Sequence, residues 1–250
     1  MKNRINNGPI GPALAIIYVA LLLTSNLASG QDPIREKPSF SVTPRFNSAG
    51  HFPFTGSLIN NHLNFDVNVF FQYKGNGFFI FKSQDLKDPH SIINYLQPGV
   101  FKKFTLGPRV QLGTFFGYLF SQTDGFKDSY SDYYTAAVLY WTISDNLKLE
   151  NTALFFDLTQ SAKLANRMLL SYKLREFKFD VYLWQRVDWI NDLYTTSASF
   201  AVNLPKIKLT DAIYIQNTIS YQGYLTQAKP DWAMRKGLLI SVAFPITLSQ

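Results

Sequence analysis

The chain has 250 residues, a formal charge of +7, 16% aromatic residues and no cysteine. Without cysteine there are no disulfide staples and no lipid anchor on a leader cysteine, and bases spread along the chain rather than clustered exclude a nucleic-acid footprint. Beyond the first thirty residues no stretch is apolar enough to cross a bilayer as a helix, so a membrane-bound form must be a closed barrel.

Residues 1–30 read as a secretory signal peptide. Lys2 and Arg4 supply its positive start, Ala13–Leu23 its apolar run, and Ala28-Ser29-Gly30 its small residues for cleavage. Removing it lowers the formal charge from +7 to +5. Residues 31–38 (QDPIREKP) are charged and bounded by proline, a periplasmic lead-in to a domain expected over 39–250. Ser39–Phe46 is a short first strand, and Asn47–His62, rich in Gly, Pro, Asn and Ser, is expected to be a loop.

Leu63–Tyr73 alternates cleanly, with Leu63, Phe65, Val67, Val69, Phe71 and Tyr73 opposite Asn64, Asp66, Asn68 and Gln72. Period two of this kind marks a strand with one apolar and one polar face. Lys74–Gly77 (KGNG) is a turn whose Asn and Gly accept positive φ, and Phe78–Gln84 returns. Turn centres then recur near residues 75, 107, 144, 175 and 210. Two of the units, ISDNLKLENTA (Ile143–Ala153) and LTDAIYIQNTI (Leu209–Ile219), align along their length. Between the tight turns lie longer polar connections at 85–91, 122–130, 158–163, 188–193 and 223–233. Pro98 and Pro205 interrupt strands and predict bulges. Asn151 and Asn217, at matching places in the aligned units, fall on the apolar parity.

The hairpin Leu164–Val187 shows the pattern best. Met168, Leu170, Tyr172 and Leu174 share one face of the first arm; Phe177, Phe179, Val181 and Leu183 share one face of the second. Arms of about ten residues suit a tilted strand crossing a bilayer. Strict alternation of short turns and long loops gives an all-β, antiparallel up-and-down transmembrane β-barrel of about twelve strands, or ten if Ser39–Phe46 does not pair. Aromatic residues such as Tyr118, Phe120, Tyr133, Tyr134, Tyr140, Trp141, Trp189, Tyr194, Tyr221, Tyr224 and Trp232 lie near strand ends, as interfacial girdles require.

The polar parity defines the lumen. Its charged members are Asp66, Arg109, Lys148, Glu150, Arg167, Lys173, Lys178, Asp180, Arg186 and Arg235, with bases outnumbering acids seven to three. Such groups either pair across strands and plug a narrow barrel or line an open path that favours anions and polar solutes. In the hairpin and its neighbour, Asp180 and Glu150 are the only acids facing Arg167, Lys173, Lys178 and Arg186, so at least two bases are expected to stay unpaired.

No phosphate-binding glycine loop, zinc motif or nucleophile elbow is present, so no cofactor or metal is called for. His51, His62 and His90 lie in or beside early loops, where Ser57, Ser91 and Asp66 are near only in sequence. Loop acids (Asp85, Asp88, Asp124, Asp128, Asp132, Asp188, Asp192, Asp231) are read as solubilising groups, with divalent bridging to lipopolysaccharide as the alternative.

Leader, alternating strands, turn asymmetry and aromatic strand ends together resemble the bacterial outer-membrane β-barrel class, over essentially the whole chain after the leader. The size is similar to that of twelve-stranded nucleoside channels and outer-membrane phospholipases. The last strand departs from the usual aromatic ending, carrying Phe244 but closing on Gln250. The resemblance implies residence in the outer membrane among lipid and lipopolysaccharide. It makes a narrow passive channel for small polar or anionic solutes the leading expectation. A lipid hydrolase and a non-transporting structural barrel are the alternatives. Oligomeric state is not legible in the sequence.

Overall fold

A computed structural model describes residues 37–52, 57–121, 131–159, 163–188, 193–226 and 236–249. Their alternating sequence forms β1 (Ser39–Asn47), β2 (Gly50–Phe52), β3 (Ser57–Asn60), β4 (Asn64–Tyr73), β5 (Asn76–Asp85), β6 (Tyr95–Gly107), β7 (Val110–Ser121) and β8 (Asp132–Thr142). The second half forms β9 (Leu147–Phe156), β10 (Lys163–Leu174), β11 (Phe177–Asp188), β12 (Leu193–Asn203), β13 (Ile207–Lys208), β14 (Tyr214–Thr226), β15 (Gly237–Ala243) and β16 (Ile246–Ser249). The signal peptide and most of the lead-in fall outside the described residues.

From β4 to β12 each strand pairs antiparallel with the next, β12 skips to β14, β14 pairs with β15, and β1 joins β15 and β16 to β4. The sheet therefore closes on itself. Counting β15 and β16 as one interrupted strand, twelve strands form the wall, and Ser39–Phe46 is one of them. Closure satisfies the edge groups that lipid cannot.

The hairpin at 164–187 pairs from Leu164 with Val187 to Leu174 with Phe177, around Arg175 at φ 54°. The two aligned units fold alike. Ile143 N donates to Leu147 O at 3.0 Å and Ser144 N to the same oxygen at 3.1 Å; Leu209 N and Thr210 N donate to Ile213 O at 2.9 and 3.2 Å. Ser144 Oγ and Thr210 Oγ1 then accept from the same two residues' amides, Leu147 N and Ile213 N. A hydroxyl at the turn's second position fixes both.

Four local expectations need correction. Asn47–His62 is not simply loop, because β2 and β3 pair within it. The KGNG turn is tighter than expected: Lys74 and Gly75 take the positive φ (47° and 76°), while Asn76 and Gly77 already belong to β5. Pro98 sits inside β6 without a bulge; the register instead shifts between Thr105 and Gly107. Pro205 ends β12 outright, and the chain resumes as the two-residue rung β13.

Outward residues are mostly large and apolar, and Val181, Phe200, Leu238 and Leu248 are about half exposed to the surroundings of the barrel. Tyr118, Phe120 and Tyr133 gather on the outer wall at the loop end, and Tyr73, Trp141 and Tyr172 lie on it at the tight-turn end. Tyr134 belongs instead to the interior cluster, and Tyr140 and Tyr224 also lie on the lumen parity. Trp189 and Trp232 lie outside the described residues.

Candidate functional site

Register places one parity of every strand in the lumen. Round the barrel these include Arg45, Asp66, Ser83 and Tyr95 on β1, β4, β5 and β6, which oppose one another in turn. On the other side Ser171, Asp180, Ala201, Ser220 and Leu239 oppose one another across β10, β11, β12, β14 and β15.

The two sides differ in bulk. On β5 to β8 the inward positions hold Phe79, Phe101, Phe115 and Tyr134, packed with Leu154 and Ala165. Phe101 stacks on Phe70 and Phe115 with centroids 4.6 and 5.6 Å apart. Each such pair adds about 0.5–1.5 kcal/mol beyond area burial, enough to hold a dry wedge inside the barrel. Gly99 and Gly117, opposite each other on β6 and β7, leave room for Tyr134, whose hydroxyl donates to Pro98 O at 3.3 Å.

Across the lumen, β12, β14 and β15 present Ser197, Ser199, Ala201, Thr218, Ser220, Ser241 and Ala243, all small. Bulk on one side and small groups on the other displace the free space off the barrel axis. A cavity of about 900 Å³ runs along this small-residue wall. It extends from Arg175, Glu176 and Lys206 at the tight-turn end to Leu58 of β3 at the loop end. Leu58 is buried, so the loop hairpin folds over the lumen.

Three of the lumen bases are paired with acids. Arg167 meets Glu150, Lys178 Nζ lies 3.1 Å from Asp180, and Arg45 Nε lies 3.7 Å from Asp66. Asp180 also accepts from Ser171 Oγ at 2.5 Å and Asn203 Nδ2 at 2.7 Å, and Thr218 Oγ1 donates to Asn203 at 2.7 Å. A second polar ladder runs from Ser241 through Asn47 to Asn64 and Asp66, and on to Ser83. Burying a charge without such partners would be costly, which is why each acid sits in a network.

Of the residues singled out by parity, Arg167, Lys173, Lys178 and Asp180 line the cavity directly. Lys148 opposes Ser171 and lies exposed near the tight-turn end. Arg186, nearer the loop end, places its guanidinium 5.7 Å from the centre of the Phe156 ring. Arg109 is in a tight turn rather than a strand, and its Nη1 donates to Ile143 O at 3.0 Å. Arg235 lies outside the described residues. The base surplus gathers near the tight-turn mouth, where Lys173, Arg175, Lys178 and Lys206 share the cavity rim with Glu176. Arg45 and Lys103 were not among the parity set. Lys103 reaches Gln72 at 3.1 Å and lies over the rings of Phe70, Phe101 and Tyr140.

Two of the loop acids, Asp85 and Asp132, are buried and structural rather than solvated. Asp85 accepts from Asn60 Nδ2 at 2.7 Å and lies 3.0 Å from His62 Nδ1, with Lys87 N and Asp88 N on its other oxygen. It ties the β2–β3 hairpin to the end of β5. Asp132 receives Thr159 N and Oγ1, both at 2.9 Å. Ser91 bonds Asn60 rather than His62, so these groups form an anchor and not a relay from serine to imidazole.

No family model and no curated protein matches the chain. Solved structures match its fold. The KdgM porin is 8% identical over 82% of this chain and 98% of that chain, with a TM-score of 0.55. The NanC porin is 12% identical over 84% and 99%, with a TM-score of 0.53. An outer membrane channel from Pseudomonas putida F1 is 8% identical over 88% and 100%, with a TM-score of 0.51. At these identities the likeness is one of fold: a closed, antiparallel β-barrel.

Proposed function

We propose that this chain is exported behind its leader to the bacterial outer membrane and there acts as a narrow passive channel for small polar or anionic solutes. The observation that carries the reading is the eccentric cavity. It follows a wall of small hydroxyl-bearing side chains from the tight-turn mouth to Leu58. A cavity lined by hydroxyls and paired charges suits polar solutes. The neighbours in fold support the reading, since two are porins and one a channel. The bases at the tight-turn mouth supply a preference for anions at entry or exit.

Single-channel recording in planar bilayers tests this. The purified chain should conduct, with a reversal potential favouring chloride over potassium. Lys173→Glu with Lys178→Glu should lower or invert that preference. A silent bilayer would end the channel reading and leave a structural barrel; a selectivity indifferent to the double change would remove the role given to the mouth.

A further inference from the structure

Two residues that line the cavity each carry a buried donor with no hydrogen-bond partner among the described residues, Trp184 Nε1 and Gln222 Nε2. Trp184 is 8% exposed and Gln222 6%, and both line the cavity. They belong to β11 and β14, on either side of β12. Ser197 opposes Trp184, and Ser199 opposes both Tyr182 and Gln222. Burying an amide or indole N–H unpaired is unfavourable, so such donors mark a place that something else satisfies.

The surroundings specify what. Tyr182 and Trp184 stack with centroids 4.8 Å apart and planes 5° from parallel, a flat apolar panel in a polar lumen. Ser199 and Ser220 also line the cavity, adding hydroxyls that both donate and accept. The nearby charges are spent on one another, Arg167 on Glu150 and Lys178 on Asp180. Arg186, two residues along β11, lies over the Phe156 ring, so among the described residues this part of the lumen offers hydrogen bonds and an aromatic surface beside cations that are already engaged, unlike the base-rich mouth.

We propose that Trp184 and Gln222 form a binding station for a neutral polyhydroxylated solute of sugar type, beneath the loop hairpin. Ring oxygens and hydroxyls of such a solute accept from the two donors, its C–H face lies against the aromatic panel, and its remaining hydroxyls exchange with the serines. The station rests on the channel reading only for how the solute arrives.

The test uses the mature chain with D-glucose and D-glucuronate as probes. Calorimetric titration of detergent-solubilised protein should show glucose binding at least as tightly as glucuronate. Trp184→Phe combined with Gln222→Met, which removes both donors and keeps both shapes, should weaken glucose binding about ten-fold, the loss expected for hydrogen bonds left unmade. If the double variant does not reach the heat-modifiable folded form, Trp184→Phe alone should weaken binding in the same direction. No glucose binding, unchanged binding in the variants, or clearly tighter glucuronate binding overturns the station. Glucose binding that depends on the two donors, in a protein that does not conduct, upholds the station and rejects the channel. Conductance without glucose binding does the reverse.

Discussion

Single side chains on the outer wall are read by lipid, and two asparagines there are accounted for by each other. Asn151 and Asn166, outward on β9 and β10, exchange amide hydrogen bonds at 3.3 Å in both directions, and Asn166 also reaches Thr152 O. Lipid offers an amide no partner, so removing one leaves the other short. Asn151→Leu should destabilise the barrel by about 1 kcal/mol, whereas Asn151→Leu with Asn166→Leu should be close to neutral. Reversible unfolding in liposomes, read as a double-mutant cycle, measures the coupling; additive effects would mean that the pair does not matter. Among the described residues no such partner explains Asn217, its counterpart in the aligned unit. Neighbouring residues on one strand should differ just as sharply. Arg at Val181, which is about half exposed on the outer wall, should hinder insertion by about 2–4 kcal/mol if the residue lies near the midplane. Arg at Tyr182 projects into the lumen and should be tolerated better, at the expense of the stack on Trp184. Equal penalties in folding yield and unfolding midpoint would contradict the facing of β11.

Strands were legible wherever one parity is polar. β10 and β11 pair as the alternation of Leu164–Val187 requires, and the alignment of Ile143–Ala153 with Leu209–Ile219 foretells a shared turn. Alternation fails where both parities are apolar. In Phe78-Phe79-Ile80-Phe81 the odd positions fill the lumen and the even ones face outward, yet the residue types do not distinguish them. The aromatic wedge was invisible for that reason, and with it the off-axis position of the cavity. Lys102-Lys103 hides a lumen lysine the same way. Arg45 is different, because Ser41, Thr43 and Arg45 alternate with Phe40, Val42 and Phe46, a signal present but short. The wedge depends on its paired glycines. A Cβ at Gly117 would fall against the Tyr134 hydroxyl and Pro98 O, so Gly117→Val should destabilise the barrel by about 1–3 kcal/mol through overpacking. The same change at Gly223, where an added Cβ meets only the edge of Tyr221, should do much less; equal losses in denaturant midpoint would show that the wedge is not tightly packed.

At the scale of the whole molecule the barrel is a wall with one thick side, one open side and a hairpin folded over an end. Asp85 holds that hairpin through Asn60 and His62. Asp85→Ala should free it and raise single-channel conductance, and an unchanged conductance would show that Leu58 does not narrow the path. The wall itself is uneven where the two ends of the chain meet. Pro245 splits the final strand, Phe244 N finds Pro44 O at 2.9 Å, and β1 is joined by two short ladders, to β15 over Arg45–Asn47 and to β16 over Ser39–Val42. By contrast β1 and β4 pair without a break over nine residues. This junction also joins residues 194 apart in sequence, as in the bond from Ser241 to Asn47. Contacts that distant repay their loop entropy only after the nearer hairpins exist, so the junction should zip last during assembly. Split into ladders of three and four rungs, it should also be where backbone amides exchange with solvent soonest. The proline pair thus gives a ring of near-equivalent strands a beginning and an end in time as well as in sequence.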